Sequence, residues 1–349
     1  MSFGEFLGIL AAEPVFLIVA LLICGVVFVN GWTDAPGAIT ASVSTGALKM
    51  KNAAILAAIF NFLGALVMGT ANSSVMRSVG EITMLIGNGE GSLAVLCSSM
   101  LSIILWATFA WYFGIPTSES HALISGVLGG ALAVGAEITA ESFSALKLAL
   151  IGLVFSVPAG CLIGIFFSKL LNLIFRNIND KKRERFIKRG QIVGAASMAF
   201  MHGAQDSQKF AGVLVAAICM TSAAPSEMGL TNAPIWITIL CSLLIALGTS
   251  VGGHRIIKKV GMETVDLTPI KGLASDLAGA TCMLMASVGG VPVSTTHTSS
   301  ASIIGAGISD KNGRLNTSSL KDMILAWLFT FPSCGLLSFA LAKIFIRVF

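Results

Sequence analysis

Two acidic residues occupy matching motifs inside long apolar stretches of the sequence. Residues 30–36 are NGWTDAP and residues 202–208 are HGAQDSQ, so both keep the pattern Gly-x-x-Asp around Asp34 and Asp206. A carboxylate surrounded by hydrocarbon is costly, and such a residue by default marks a functional site that binds a cation. Na⁺ and a proton are both suitable partners. An Asp that only caps the following helix is the alternative, which the duplication of the motif disfavours.

A second pair of motifs supplies hydroxyl groups. Residues 114–121 are GIPTSESH and residues 290–297 are GVPVSTTH, and an apolar stretch follows each. We therefore expect a helix to begin there, with free N–H groups and the positive end of its dipole. Two such ends that face each other would bind a tetrahedral oxyanion, whereas the alternative is hydroxyls that only cap helices and join them. The candidate anion ligands are Thr117, Ser118, Ser120, Ser294, Thr295 and Thr296.

His121 and His297 close these two hydroxyl motifs. Each is either a direct ligand or a packed, hydrogen-bonded residue behind the site. The sequence leaves both interpretations open.

The two motif pairs indicate an internal duplication. The Asp residues are 172 positions apart (206 − 34) and the His residues are 176 apart (297 − 121), each about half of the 349 residues. Unrelated motifs that recur in one order at nearly one offset are typical of repeats, and duplicated membrane halves are typical of secondary transporters. We divide the chain into a first half (1–175), a basic linker (176–190) and a second half (191–349). We expect the halves to be inverted.

Composition predicts an all-α polytopic membrane protein. The chain is 55% hydrophobic and 11% charged, with a mean hydropathy of +0.88. In a typical soluble domain about a quarter of all residues are charged. Apolar runs recur throughout, and the clearer ones approach the ~20 residues that cross a bilayer, which gives roughly ten spanning or partly spanning segments.

The first Asp motif predicts a broken helix. Residues 14–48 are apolar apart from 30–36, and as one helix they would measure about 50 Å, well beyond the ~30 Å of hydrocarbon. Gly31, Pro36 and Gly37 are residues that interrupt helices, and we expect Gly203 to do the same in the second half. Unwound backbone at membrane depth is tolerated only inside protein or beside water.

The charge distribution predicts the topology. Residues 176–190 carry seven of the 22 Lys and Arg residues, which predicts a cytoplasmic loop, and residues 1–48 carry none, which favours an outside N-terminus. Because much of the net charge of +5 lies in that loop, it does not indicate nucleic-acid binding. The seven Cys residues stand singly in apolar runs, so neither disulfides nor a zinc site is expected. We expect no cofactor beyond the coupling cation.

At these motifs the chain resembles the inorganic phosphate transporter (PiT) family, which includes sulfate permeases. The resemblance rests on the duplicated Gly-x-x-Asp and Pro-x-Ser-x-x-His segments and extends from about residue 28 to residue 307. It implies two inverted repeats, re-entrant helical hairpins that end at the Pro-Ser segments, and cation-coupled phosphate uptake. It also implies a multi-pass protein of the bacterial plasma membrane, surrounded by lipid and often dimeric.

The resemblance assigns roles residue by residue. The hydroxyl residues would face phosphate, and Lys209 would neutralise the anion or extend to an interface. Thr33 and Gln205 replace the Asn that normally precedes each Asp, which leaves the choice between Na⁺ and H⁺ open. Glu119 replaces a small hydroxyl residue and is either a proton-coupling group or an acid that faces an interface. The implied cation ligands are Asn30, Asp34, His202, Gln205 and Asp206, with Asp276 as a weaker candidate.

Other classes of function fit less well. An intramembrane aspartyl protease needs a Gly-x-Gly-Asp motif that neither Asp segment has, and a metalloenzyme of the His-Glu-x-x-His type lacks its motif. An anion channel would share a hydroxyl-lined path but gives no reason for buried acids. The chain is therefore predicted to be no enzyme but a symporter that carries inorganic phosphate with Na⁺ or, second, H⁺. Sulfate is the alternative substrate.

Overall fold

The structure is a computed structural model that describes residues 1–89, 91–137, 139–222, 229–230, 233–251, 253–310 and 313–348. These residues form helices joined by short turns. Their only β-contact is an isolated bridge between Val265 and Leu315. The all-α prediction is confirmed for this part of the chain.

The first part of the chain forms eight helices among the described residues. They are α1 (Phe3–Ala12), α2 (Pro14–Thr33), α3 (Thr40–Ser44), α4 (Met50–Ala71), α5 (Ser74–Thr83), α6 (Ser92–Tyr112), α7 (Glu119–Val134) and α8 (Ala140–Ile174). A 3₁₀ turn over Ala35–Ile39 joins α2 to α3.

The second part forms six helices within the described ranges. They are α9 (Asp180–Cys219), α10 (Ile235–Val251), α11 (His254–Ile257), α12 (Pro269–Val288), α13 (Thr295–Gly307) and α14 (Thr317–Phe345). A π-helical turn over Lys258–Met262 extends α11.

The helices are those of a multi-pass membrane protein. Among the described residues, five stretches are long and apolar enough to cross a bilayer, and a sixth is counted if α10 and the bent segment after it form one span; the five are Pro14–Ser44, α4, α6, α8 and α14. Helices α7 and α13, with 16 and 13 residues, are too short to cross ~30 Å at 1.5 Å per residue. Our expectation of roughly ten segments included partly spanning ones as well as full spans.

Helices of the first part pack against helices of the second part. Helix α7 packs on α14, and α13 packs on α8; in the same way α4 packs on α9, and α10 packs on α2. The two parts are therefore interlocked through the protein interior. The division at residues 175 and 191, and the inversion of the halves, stay predictions.

Glycines allow these helices to approach closely. A Cβ atom on Gly64 of α4 would lie 1.8 Å from the carbonyl oxygen of Phe200 of α9. On the other side of the same contact, a Cβ on Gly203 would lie 2.1 Å from the carbonyl oxygen of Asn61. Only glycine fits such contacts, and small residues are what membrane helices use to pack backbone against backbone.

One of the two predicted helix breaks is present. Helix α2 ends at Thr33, the chain turns at Asp34, and Pro36 lies in the 3₁₀ turn that follows. The predicted break in the second half is wrong, because α9 continues without interruption through Gly203 and Asp206. No proline follows Asp206 within α9, and Gly203 serves the contact with α4 rather than a break. Gly31 likewise lies within α2 and not at a break.

The basic segment is largely helical. The prediction of a loop over residues 176–190 is wrong from Asp180 onward, because α9 begins there. The Asn179 side chain accepts a hydrogen bond from the Lys181 N–H and so caps the helix. Most of the charged side chains of this first part of α9 are exposed, which removes the cost of burying them.

Candidate cation and anion site

Two Asp residues and one His meet at the centre of the protein. Asp34 lies where α2 ends, and His202 and Asp206 are one turn apart on the same face of α9. His202 Nε2 is 3.3 Å from Asp206 Oδ2 and 3.9 Å from Asp34 Oδ2. One ligand atom from each residue lies within 4.8 Å of the others, and all three side chains are buried. The arrangement brings together the predicted acids with a third group able to bind a cation.

Hydroxyl groups at the start of α13 contact both acids. Thr295 Oγ1 donates to Asp34 Oδ2 over 2.7 Å and lies 3.3 Å from Asp206 Oδ2. Thr296 Oγ1 donates to the other oxygen of Asp34 and lies 2.9 Å from the Thr117 carbonyl oxygen. The N-terminus of α13 therefore holds Asp34 and Asp206 next to the hydroxyl motifs.

The short helices α7 and α13 begin side by side. Ser118 and Ser294 are their N-caps, and each accepts a hydrogen bond from the backbone N–H of the His three residues later. Ser294 Oγ donates to Ser118 Oγ over 2.8 Å. Because a helix N-terminus carries free N–H groups and positive potential, two adjacent ends form a place for an anion.

Matching turns lead into these helices. Gly114 and Gly290 have φ angles of 68° and 66°, a conformation that residues with side chains rarely adopt. After α6 the Ile115 N–H bonds the Ala110 carbonyl, and after α12 the corresponding bond joins residues 291 and 286. This is the turn with which many helices end, and it directs both Pro-Ser segments back into the protein.

The two His residues of the motifs lie behind the helix ends. His121 Nδ1 is 2.9 Å from Ser118 Oγ, and the ring centroids of His121 and His297 are 4.4 Å apart. His297 also packs on Trp327, at 4.1 Å between centroids. The structure therefore places both as packed residues behind the helix ends, and the His121 ring also contacts the capping Ser118.

Glu119 faces the centre of the site. Its side chain is 3% exposed, and its Oε1 lies 2.6 Å from Thr33 Oγ1. The interpretation of Glu119 as an interface-facing acid is therefore wrong, and Thr33 becomes its partner.

Lys209 is buried in the same cluster. Its Nζ donates to Asp206 Oδ1, Ser120 Oγ and the Val293 carbonyl, each over 2.7 Å. Its exposed fraction is 2%, so it does not extend to an interface. Lys209 is the cation that pairs directly with Asp206.

Two predicted cation ligands point elsewhere. Gln205 Nε2 donates to Ser287 Oγ of α12 over 2.8 Å, away from the acids. Asp276 is buried on α12 against Gly194, and no described hydrogen bond or ion pair joins it to Asp34. Asn30, by contrast, is buried one turn before Asp34, and its carbonyl accepts a hydrogen bond from the Asp34 N–H.

Some contributions to the site are absent from the sequence motifs. Trp327 of α14 donates from Nε1 to the Pro116 carbonyl over 3.1 Å and fixes the approach to Thr117. A Trp in the middle of an apolar helix is the one signal that pointed to it. Val293 lies within the second hydroxyl motif, but its residue type gives no signal that its backbone carbonyl takes part.

The fold and site are those of a polytopic membrane transporter, with buried acids beside paired helix ends. The chain belongs to the phosphate transporter family, whose sequence profile matches residues 30–338. Transport, and not enzyme catalysis, is the activity of this family, so the transporter prediction and the resemblance are confirmed.

Named relatives agree with this family. A Bacillus subtilis protein described as "Probable low-affinity inorganic phosphate transporter" is 34% identical over 319 residues, covering 90% of this chain and 93% of the relative. A Rhizobium meliloti protein of the same description is 31% identical over 311 residues, covering 89% and 90%. A solved structure titled "The sodium-dependent phosphate transporter" superposes with a TM-score of 0.81 at 21% identity, over 97% of this chain and all of that one. That likeness shows the fold.

Proposed function

We propose that the protein carries inorganic phosphate into the cell together with a cation, Na⁺ first and H⁺ second. The observation that carries this proposal is the position of Thr295, whose hydroxyl lies between Asp34 and Asp206 at the N-terminus of α13. One residue thus belongs to a cation-binding cluster and to an anion-binding helix end. Binding of one ion therefore changes the surroundings of the other.

The cation is assigned to the cluster of Asp34, His202 and Asp206. Carboxylate oxygens are hard ligands that suit Na⁺, and the Asn30 side chain adds an amide nearby. Helix α2 is interrupted at Asp34, so backbone carbonyls of the turn are also available. A proton on a carboxylate is the second candidate for the same position.

Phosphate is assigned to the ends of α7 and α13. The hydroxyls of the two hydroxyl motifs are now bonded to one another and to the acids, so anion binding exchanges those bonds for bonds to phosphate oxygens. Glu119 supports phosphate over sulfate, because phosphate at neutral pH carries hydrogen that it can donate to a carboxylate. Sulfate can only accept.

Alternating access between two inverted halves is the transport cycle that we propose. Duplicated transporters place the substrate at the interface of the repeats, and here α7 packs on α14 while α13 packs on α8. We further propose a homodimer in a bacterial plasma membrane. Chemical crosslinking in native membranes would show a band at twice the mass of the chain, and monomer alone would rule the dimer out.

Transport in proteoliposomes tests the function. Labelled phosphate should accumulate against its gradient when external Na⁺ replaces K⁺, and excess sulfate should compete weakly. A dependence on a pH gradient in K⁺ buffer would assign the coupling to H⁺ instead. Downhill flux without accumulation under either gradient would contradict the symport proposal. Strong competition by sulfate would indicate sulfate as the substrate instead of phosphate.

A further inference from the structure

The ammonium group of Lys209 has the surroundings of a bound cation. Its three oxygen neighbours lie at 2.7 Å and come from Asp206 of α9, Ser120 of α7 and the backbone of Val293, just before α13. An ammonium has three N–H donors, so every one of them is used. The group is enclosed and its bonds are complete, so it is held in place by all three segments.

Asp206 divides its two oxygens between different partners. Oδ1 accepts from Lys209, while Oδ2 lies 3.3 Å from His202 Nε2 and faces Asp34. The ligand atoms of Asp34, His202 and Asp206 lie within 4.8 Å of one another. Two further monovalent cations in so small a space would repel each other strongly.

We propose that Lys209 is a built-in counter-cation for Asp206, so that the two Asp residues together bind one coupling cation and not one each. The lysine occupies the position that a second ion would take. The shared cation lies between Asp34 and the Oδ2 side of Asp206, with His202 as the third ligand. The identity of this ion rests on the proposed function, but the number of ions does not.

The first half has no equivalent lysine. At the offset of 172 residues that relates Asp34 to Asp206, Gly37 stands in the place of Lys209. Asp34 is bonded by the neutral hydroxyls of Thr295 and Thr296, which leave its charge uncompensated. The acid without a lysine is therefore the one that supplies the negative charge for the coupling ion.

Counting bound ions tests the proposal without transport. The thermal stability of the purified protein is measured against Na⁺ concentration, with N-methyl-D-glucamine chloride holding the ionic strength constant. A ligand that binds the folded state stabilises it in proportion to the logarithm of its concentration, with a slope that counts the ions. In Lys209→Met the slope should rise by about one ion, and Asp206→Asn in the same background should remove that gain.

Lys271 provides a matched control. It is also buried, and it donates to the Gly307 carbonyl and pairs with Asp310, outside the acid cluster. Lys271→Met should leave the slope unchanged. Where Lys209→Met does not fold, Lys209→Gln removes the charge but keeps an N–H donor.

The outcomes separate this inference from the proposed function. A slope unchanged in the folded Lys209 variants would overturn the counter-cation, even where wild-type protein accumulates phosphate with Na⁺. A slope that rises while wild-type protein shows no Na⁺-driven accumulation would support the counter-cation and contradict the coupling. An equal rise in Lys271→Met would also overturn it, because any lost lysine would then produce the effect.

Discussion

The hydroxyl of Ser294 donates a hydrogen bond to the hydroxyl of Ser118 over 2.8 Å, and each of these residues caps the helix that begins next to it. The bond joins two segments that are 176 residues apart in the chain. Together with the bond from the Thr296 hydroxyl to the Thr117 carbonyl, it joins the two proposed phosphate-binding helix ends directly.

Removing either capping serine should weaken both stability and phosphate binding. We expect Ser118→Ala and Ser294→Ala each to lower stability by about 1 kcal/mol, the usual cost of losing an N-cap. The Michaelis constant for phosphate should also rise in both variants, because the helix ends lose their alignment. Thr139→Ala is the control, since Thr139 caps α8 away from the site. If the control raised the Michaelis constant equally, the serines would have only a structural role.

Neutralising the acids should abolish coupled uptake. Asp34→Asn and Asp206→Asn remove the charge that attracts the cation, and we expect uptake to fall by about tenfold or more, in line with losing a charged ligand. Asp206→Asn should be the less stable protein, because it leaves the buried Lys209 ammonium without a carboxylate.

The matched control for the acids is Asp180→Asn on the exposed start of α9, where the side chain is 87% exposed. Uptake of labelled phosphate and thermal unfolding of the three variants are compared. If coupled uptake survived in both Asp34→Asn and Asp206→Asn, the assignment of the cation to these two acids would be wrong.

Replacing Glu119 should change how uptake depends on pH. The Glu119 carboxyl is buried and bonded to the neutral hydroxyl of Thr33, so a proton on Glu119 avoids the cost of a buried charge. Glu119→Gln carries its own N–H donors, and we expect its uptake to persist at alkaline pH, where wild-type uptake declines. Initial rates over a pH series measure this, with the exposed Glu141→Gln as control. Identical pH profiles for wild type and Glu119→Gln would show that this proton plays no part in transport.

A methyl group at the crossing of α4 and α9 should destabilise the fold. In Gly64→Ala the new Cβ would meet the Phe200 carbonyl, so the helices must separate, at a cost of about 1–3 kcal/mol or more. Gly8→Ala in α1 is the control, because no atom lies within 4 Å of its Cβ position. Thermal unfolding in detergent compares the two. Equal stability of both variants would mean that α4 and α9 lie farther apart than the structure shows.

The sequence predicts the site better than the shapes of the helices that carry it. Residue types and their duplication were enough to bring together Asp34, Asp206 and the hydroxyl motifs, because buried polar groups have few other reasons to recur. Helix breaks were harder to predict. A glycine in an apolar stretch looks the same in the sequence whether it breaks a helix or allows close packing. Gly203 does the second, because its missing side chain makes room for Asn61.

The direction in which polar side chains point could not be predicted from the sequence either. Gln205 precedes Asp206, and adjacent residues on a continuous helix point about 100° apart, so Gln205 turns to Ser287. A break at this point would have allowed both to face the cation. The amide nitrogen of Gln205 is bonded to α12, while its Oε1 has no hydrogen-bond partner among the described residues, so its role as a cation ligand stays a prediction.

The backbone holds the two acids differently, because Asp206 lies inside an unbroken helix and Asp34 lies at a helix end. With 40 residues α9 is a rod of about 60 Å, and about 39 Å of it separates its basic, exposed end from Asp206. A displacement of α9 as a rigid helix would carry Asp206 with it, whereas Asp34 stands where α2 gives way to a 3₁₀ turn, a point at which the chain can bend. The backbone at Asp206 is thus tied to the position of α9 as a whole, whereas the backbone at Asp34 depends on a single turn.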